Sequence, residues 1–408
     1  MINKAYLEAK EKLAKYGQSH LLNYYNELNA EEKKALIEQI NDTDFSIVRV
    51  GKSDEVRGVI TPIPCTELDE INAHRDEYKQ AGLEEIRAGK VAAVLLAGGM
   101  GTRLGSDGPK GVYNIGITHE VYIFERLIRN LMDVTDEAGN FIHLFIMTSD
   151  KNHDATVRFL NEKKFFGYDG NFVHFFRQEM APAADYSGKV YLEEKWKLST
   201  SPNGNGGWYS SMAKGGMLDI VKNENIEWLN VFAVDNVLQR IADPVFIGAT
   251  KLANCVVGAK VIKKAAPDER VGVICLEDNH PSVVEYYELT DEMMNAKTDD
   301  GKPAYNFGVI LNYLFHVPEL AEIVDKKMPL HVVEKKIPCL DADGNYVKPE
   351  KPNGYKFETL ILDMIHLLDS CLVFEVERKR EFAPIKNPTG IDSVESAREL
   401  LKLNGVEL

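Results

Sequence analysis

The chain has 408 residues, 63 acidic against 48 basic, a net charge of −15 and a hydrophobic fraction of 44%. Nucleic acid and anionic membrane repel such a chain at long range, so neither is expected as a partner, whereas a small anion held at a locally basic point remains possible. The longest strongly apolar run, Val91 to Ala97, is far short of the roughly 20 residues of a membrane helix, and the ten residues from Met1 carry no signal-peptide core. Five scattered cysteines without a Cys-x-x-Cys pair, and ten histidines without ligand-like spacing, point to a cytoplasmic enzyme and away from a disulfide scaffold or transition-metal centre.

Residues 1–90 read as a helical region, with apolar residues such as Leu13, Leu21, Leu36, Ile37 and Ile40 at helical spacing. Ser19 and Asn29 are candidate N-caps, Thr61 to Pro64 breaks the pattern, and a further helix is predicted over 67–88. At Lys90 the texture changes. Val91 to Leu96 is a continuous apolar run, as in a strand buried on both faces of a parallel sheet. Further strands are predicted over 141–148, 172–176, 227–234, 255–262, 270–275 and 282–289. Helices over 121–133, 153–163 and 209–223 separate several of them. This alternation implies βαβ units in an open, largely parallel sheet, whose ligands sit at the carboxyl ends of the strands. A catalytic domain is therefore expected over 91–330 and a C-terminal region over 331–408, with a turn-rich loop at 341–354, a helix over 355–368 and a strand over 371–376.

The first strand runs directly into LLAGGMGTRLGSDGPKGVYNIG, residues 95–116. Glycines alone would suit an ordinary βα turn. Arg103 and Lys110 in the same loop, with Pro109 before the lysine, suit a highly charged ligand such as a nucleoside triphosphate, whose phosphates backbone N–H groups can also cradle. No Gly-Lys-Ser/Thr closes the segment, so it is not a P-loop.

This loop resembles the signature of the eukaryotic-type UDP-sugar pyrophosphorylases, most nearly the UDP-N-acetylhexosamine pyrophosphorylases, in which Ala-Gly-Gly-x-Gly-Thr-Arg-Leu-Gly is likewise followed by Pro-Lys-Gly. Motifs in matching order carry the resemblance from about residue 90 to about 390. It implies an α/β fold: a Rossmann-like nucleotidyltransferase core with an open mixed, mostly parallel sheet, a helical N-terminal region and a small C-terminal α/β region. The implied reaction makes a UDP-sugar and pyrophosphate from UTP and a sugar 1-phosphate, N-acetylglucosamine 1-phosphate first and glucose 1-phosphate as the alternative. A monomer or small homo-oligomer is expected. A non-catalytic sugar-nucleotide sensor is a different reading, but it would be expected to have lost the cations.

The resemblance also assigns residues. Arg103, Lys110 and Lys386 are expected to be catalytic, with Lys386 in the segment RKREFAPIKN. Leu96, Gly98, Gly99, Gln178 and Gly204 are expected at the nucleotide. The Gln178 amide offers both a donor and an acceptor to the uracil edge. Asn205, Gly272, Glu285, Asn306 and Phe357 are expected at the sugar. Asp235, in VDNV at a strand end, is expected to hold Mg²⁺ between phosphates. Each assignment has a plain structural alternative: a capping turn for Gly204 and Asn205, a bulge for Gly272, a salt-bridged strand residue for Glu285 and core packing for Tyr355 and Phe357. The chain also departs from the family pattern. Val309 stands where the family often has Asn, Tyr313 where it has His, and Tyr287 where a Glu-Tyr-Ser-Glu motif has Ser. All three are near the sugar-facing strands.

Overall fold

A computed structural model describes residues 4–48, 57–323 and 328–408. The chain divides into two compact units, Arg57–Gln178, Trp208–Lys327 and Leu362–Leu408 forming the larger and Met1–Val56, Glu179–Gly207 and Met328–Ile361 the smaller.

A ten-stranded sheet forms the larger unit. Its strands are β1 (Ile60–Thr61), β2 (Val91–Leu96), β3 (His143–Thr148), β4 (Val173–Arg177), β5 (Trp228–Ala233), β6 (Val257–Lys263), β7 (Val273–Glu277), β8 (His280–Val284), β9 (Phe307–His316) and β10 (Cys371–Glu375). β2 pairs in parallel with β3 and β5, and β3 with β4. β9 runs antiparallel to both β5 and β6, and β6 pairs in parallel with β10. The outcome is a mixed sheet with a parallel core, as expected. All six residues of β2 are buried, which is why it reads as a continuous apolar run and does not alternate. Helices α1 (Arg75–Arg87), α2 (Ile123–Ala138), α3 (His153–Glu162) and α4 (Pro244–Leu252) accompany it. Phe124, Leu127, Ile128, Leu131 and Val134 of α2 share a core cluster with Leu95, Ile146 and Phe232.

Two predicted helices are interrupted. The one over 67–88 breaks at His74, and the one over 209–223 divides at Gly215–Gly216 into Trp208–Lys214 and Met217–Asn223.

The smaller unit packs helices Lys4–Lys15 and Ala30–Asp42 with short strands. Asn29 caps the second helix through a full capping box with Glu32. Ser19 is not a cap, since it lies inside a short 3₁₀ turn that follows Gln18. Leu13, Leu21, Leu36, Ile37 and Ile40 are buried together with Ala181, Ala184, Val190, Leu198 and Phe357. The expected boundaries at 90 and 330 are therefore not where the compact units divide. Periodicity shows that a helix has an apolar stripe, but not that the stripe is covered by residues more than a hundred positions away.

The helix predicted over 355–368 is a correction. Gly354–Glu358 is a strand, paired antiparallel with His331–Lys335, and only Ile361–His366 is helical. The burial pattern here has no period of two, since Gly354 and Phe357 are buried three residues apart, so the strand is defined by its ladders to His331–Lys335 and to Ala184–Asp185.

Candidate active site

The strand order places the ends of β2, β3, β4 and β5 along one edge, the carboxyl edge of the parallel core. Most of the expected residues of the larger unit follow from there. Leu96 ends β2, and its carbonyl accepts from the Val234 N–H, so the glycine loop and the Asp235 turn leave the sheet side by side.

The glycine loop folds back on itself. Gly101 N–H donates to Gly108 O at 2.8 Å and Lys110 N–H to Gly99 O at 3.1 Å, and a bridge joins Met100 to Pro109. These bonds bring Lys110 back beside Gly99, eleven residues on. The fully buried Asn152 ties the loop to the end of β3. Its Nδ2 donates to Ala97 O at 2.9 Å and Gly99 O at 3.2 Å, while its Oδ1 accepts from Ser149 N–H at 2.8 Å. Sequence reasoning passed over Asn152; a polar residue just past a buried strand was the available signal. Gln178 follows β4 directly, its N–H bonded to Thr148 O at 2.7 Å. A Cβ on Gly98 would lie 2.8 Å from Gln178 Oε1. A side chain at residue 98 would therefore push the Gln178 amide out of its present position.

Three cations and a carboxylate converge beside this loop. Lys110 Nζ is 3.9 Å from Asp235 Oδ2. Burial pushes the Lys110 pKa down; Asp235 opposes this, and the charges of Lys386 and Arg103 push it further down, leaving it below the ordinary lysine value. Lys386 is carried to the Asp235 turn by main-chain bonding, since Ile385 N–H donates to Asp235 O at 2.9 Å. Its ammonium rests on Asp392 at 2.9 Å, a partner the motif reading did not find. Arg103 is exposed on the loop surface.

The expected sugar residues of the larger unit cluster where β7, β8 and β9 meet this edge. Val309 N–H donates to Gly272 O at 2.9 Å, and a Cβ on Gly272 would lie 3.6 Å from Glu285 Oε2. Asn306 immediately precedes β9, its carbonyl accepting from Lys264 N–H at 2.8 Å. Tyr313, one of the departures, is fully buried within β9, and Tyr287 is exposed.

Gly204, Asn205 and Phe357 belong to the smaller unit. Gly204 has φ +87°, and a Cβ there would meet Thr359 O at 2.1 Å, so both backbone conformation and space require glycine. Asn205 Oδ1 accepts from Ile361 N–H at 3.0 Å, which gives this residue a turn-holding bond. Phe357 is wholly buried in the unit's core and presents no surface in this conformation, whereas Tyr355 is half-buried and meets Tyr186 edge-on at 5.1 Å.

A metal would find Asp235 as a half-exposed carboxylate beside three cations, and no cluster of three or more His, Cys, Asp or Glu ligands exists among the described residues. One protein carboxylate completed by phosphate oxygens is how Mg²⁺ commonly binds nucleotides, so the donor set fits that ion. A polar cavity of about 670 Å³, walled in part by Arg75, Arg126, Asn130, Arg240 and Arg380, contains none of the expected site residues. Among the described residues no helix is long and apolar enough to cross a membrane.

Known proteins resemble the chain along most of its length. The UDP-N-acetylhexosamine pyrophosphorylase-like protein 1 of Mus musculus is 35% identical over 411 residues, covering 94% of this chain and 81% of that protein. The UDP-N-acetylglucosamine pyrophosphorylase of Saccharomyces cerevisiae is 36% identical over 408 residues, covering 95% and 84%. The crystal structure of the uridine diphosphate N-acetylglucosamine pyrophosphorylase of Trypanosoma brucei superposes with a TM-score of 0.80 at 25% identity, covering 98% of this chain and 85% of that one. The family model described as UTP–glucose-1-phosphate uridylyltransferase matches residues 52–404, and the chain belongs to that family.

Proposed function

We propose that this uridylyltransferase makes UDP-N-acetylglucosamine and pyrophosphate from UTP and N-acetylglucosamine 1-phosphate. The observation that carries the reading is the gathering of Asp235, Lys386 and Arg103 within electrostatic reach of Lys110 at the carboxyl edge of the sheet. Identity of 35–36% to proteins named for N-acetylhexosamine or N-acetylglucosamine supports the choice of sugar.

A phosphate oxygen of the sugar 1-phosphate attacks the α-phosphorus of UTP. The new P–O bond forms as the bond from the α-phosphorus to its bridging oxygen breaks, and pyrophosphate leaves with that electron pair. The attacking oxygen is already anionic at neutral pH, so the site needs no general base. Its task is to hold two polyanions in line and meet the charge that develops between them. Lys110 serves the triphosphate, Arg103 the departing pyrophosphate, and Lys386 the sugar phosphate and α-phosphate. Gln178 reads uracil, with Leu96, Gly98 and Gly99 lining the nucleotide. Gly272, Glu285 and Asn306 face the sugar. Mg²⁺, held by Asp235 together with phosphate oxygens, would supply charge neutralisation. The cytoplasm is the compartment this reading assigns.

The test is pyrophosphate release from UTP with a panel of sugar 1-phosphates. The highest kcat/KM is expected with N-acetylglucosamine 1-phosphate. A clear preference for glucose 1-phosphate would overturn the sugar, and no release with any of them would overturn the reaction.

A further inference from the structure

We infer that Asn236 is a positioning residue that clamps the Lys386 segment onto the Asp235 turn, so that the two phosphate-facing groups move as one. This rests on the reading above that Asp235 and Lys386 act on the phosphates.

Asn236 is 2% exposed and follows Asp235 at the end of β5. Its Nδ2 donates to Glu381 O at 2.8 Å, and its Oδ1 accepts from Ala383 N–H at 2.9 Å and Leu238 N–H at 3.4 Å. On either side the main chains pair, with Ile385 N–H bonded to Asp235 O at 2.9 Å and Val237 N–H to Ala383 O at 3.3 Å. Pro384 lies opposite Asn236 and has no N–H to give to a ladder. The Asn236 amide therefore adds bonds to a pairing that the proline weakens. One planar amide meets a carbonyl and an N–H two residues apart; aspartate lacks the donor and serine is too short to span both. The clamped stretch is also fixed from behind, because the Glu381 carboxylate accepts from Lys260 Nζ at 2.6 Å. Lys386 follows these anchors directly and is held on its other side by Asp392, whose carbonyl accepts from its N–H at 2.6 Å and whose carboxylate accepts from its Nζ at 2.9 Å; the Asn236 clamp therefore fixes the side of Lys386 that faces the Asp235 turn, and small misplacements of a phosphate-binding cation are costly in rate.

Asn236→Ser is expected to lower kcat by about tenfold or more while KM for UTP changes by less than about threefold, the pattern of an interaction made in the transition state. Because Asn236 acts through Lys386, the same substitution in a Lys386→Ala background should lower kcat little further. A full, additive loss there overturns the inference. Hydrogen exchange on the intact protein supplies a second measurement, with the amides of Ala383 and Ile385 expected to exchange faster in the variant; unchanged protection overturns the clamp. Should Asn236→Ser fail to fold, Asn236→Asp keeps the acceptor to Ala383 N–H and sets a carboxylate against Glu381 O in place of the donor, which loosens the clamp on that side and is read by the same kcat and exchange measurements. Near-normal turnover of Lys386→Ala itself would refute the role of Lys386, and the exchange measurement would then decide the clamp alone.

Discussion

Two lysine–aspartate pairs in the larger unit solve the same problem in opposite ways. Lys260 on β6 is wholly buried, with Asp243 at 3.0 Å, Glu381 at 2.6 Å and the Arg240 carbonyl at 3.2 Å. Those are three acceptors for three ammonium donors. Burial pushes the Asp243 carboxyl up, but Lys260 and Arg240 outweigh it and hold it below the usual range. Glu381 is left with its pKa raised, by burial first and then by the Asp243 charge, despite Lys260. Lys110, by contrast, has Asp235 only at 3.9 Å, and both side chains keep contact with solvent, at 16% and 26% exposure. Two further cations depress its pKa. The first pair is complete without any ligand. The second holds an excess of positive charge, in contact with solvent, that a bound anion relieves, the arrangement expected of a candidate ligand site.

The contrast breaks first at Lys260. Lys260→Met leaves the buried Asp243 and the half-buried Glu381 without their cation, and removing one partner of a buried ion cluster costs about 3–5 kcal/mol. Urea unfolding should show a lower midpoint with an unchanged slope. A loss below about 1 kcal/mol would mean that water already compensates the cluster. Lys110→Ala should do the reverse. Its turnover falls about 10²- to 10³-fold, as for loss of one transition-state contact, while its unfolding midpoint stays near that of the parent protein. Steady-state pyrophosphate release and urea titration on the same preparations check both halves.

The two pairs were unequally legible in the sequence. Arg103 and Lys110 stand out because a local pattern, glycines after a buried strand, carries them. β2 is equally legible, since burial on both faces leaves a run no helix surface would show. Lys260 does not stand out. It sits in a strand otherwise read as apolar, and its partners are 17 and 121 positions away. Asn152 and Asn236 are hidden for the same reason, with bonds reaching 55 and 147 residues along the chain. The misread helix at 355–368 has a different cause. Apolar residues in a short strand followed by a short helix mimic a single helical stripe, and the antiparallel partners at 331–335 and 184–185, distant in sequence, are what make the first part a strand.

Asp235 sharpens the comparison from the other side. Asp235→Asn removes the carboxylate that would hold Mg²⁺, so the Mg²⁺ concentration for half-maximal turnover should rise about tenfold, or ~1.4 kcal/mol. Folding should change little, because Asp235 is half-exposed and its carbonyl bond to Ile385 is untouched. An unaltered metal requirement would remove Asp235 from the metal site.

The smallest effect is on pH dependence, and it follows from the sign of the Lys110 shift. The folded, ligand-free protein releases the Lys110 proton below the ordinary 10.5, whereas the unfolded chain holds it up to that value. Charged Lys110 therefore costs stability at neutral pH. Stability attributable to this group rises with pH across the interval between the depressed value and 10.5, because the unfolded state binds more protons there. UTP binding has the opposite sign, since its phosphates need the ammonium, so affinity falls as pH climbs through the depressed value. Calorimetric titration of UTP between pH 7 and about 10 should show this fall. Lys110→Arg, which stays protonated throughout, should flatten it. Asp235→Asn removes the carboxylate influence that raises the Lys110 pKa, and should move the fall to lower pH. The same alkaline fall in Lys110→Arg as in the parent would show that another group carries the titration.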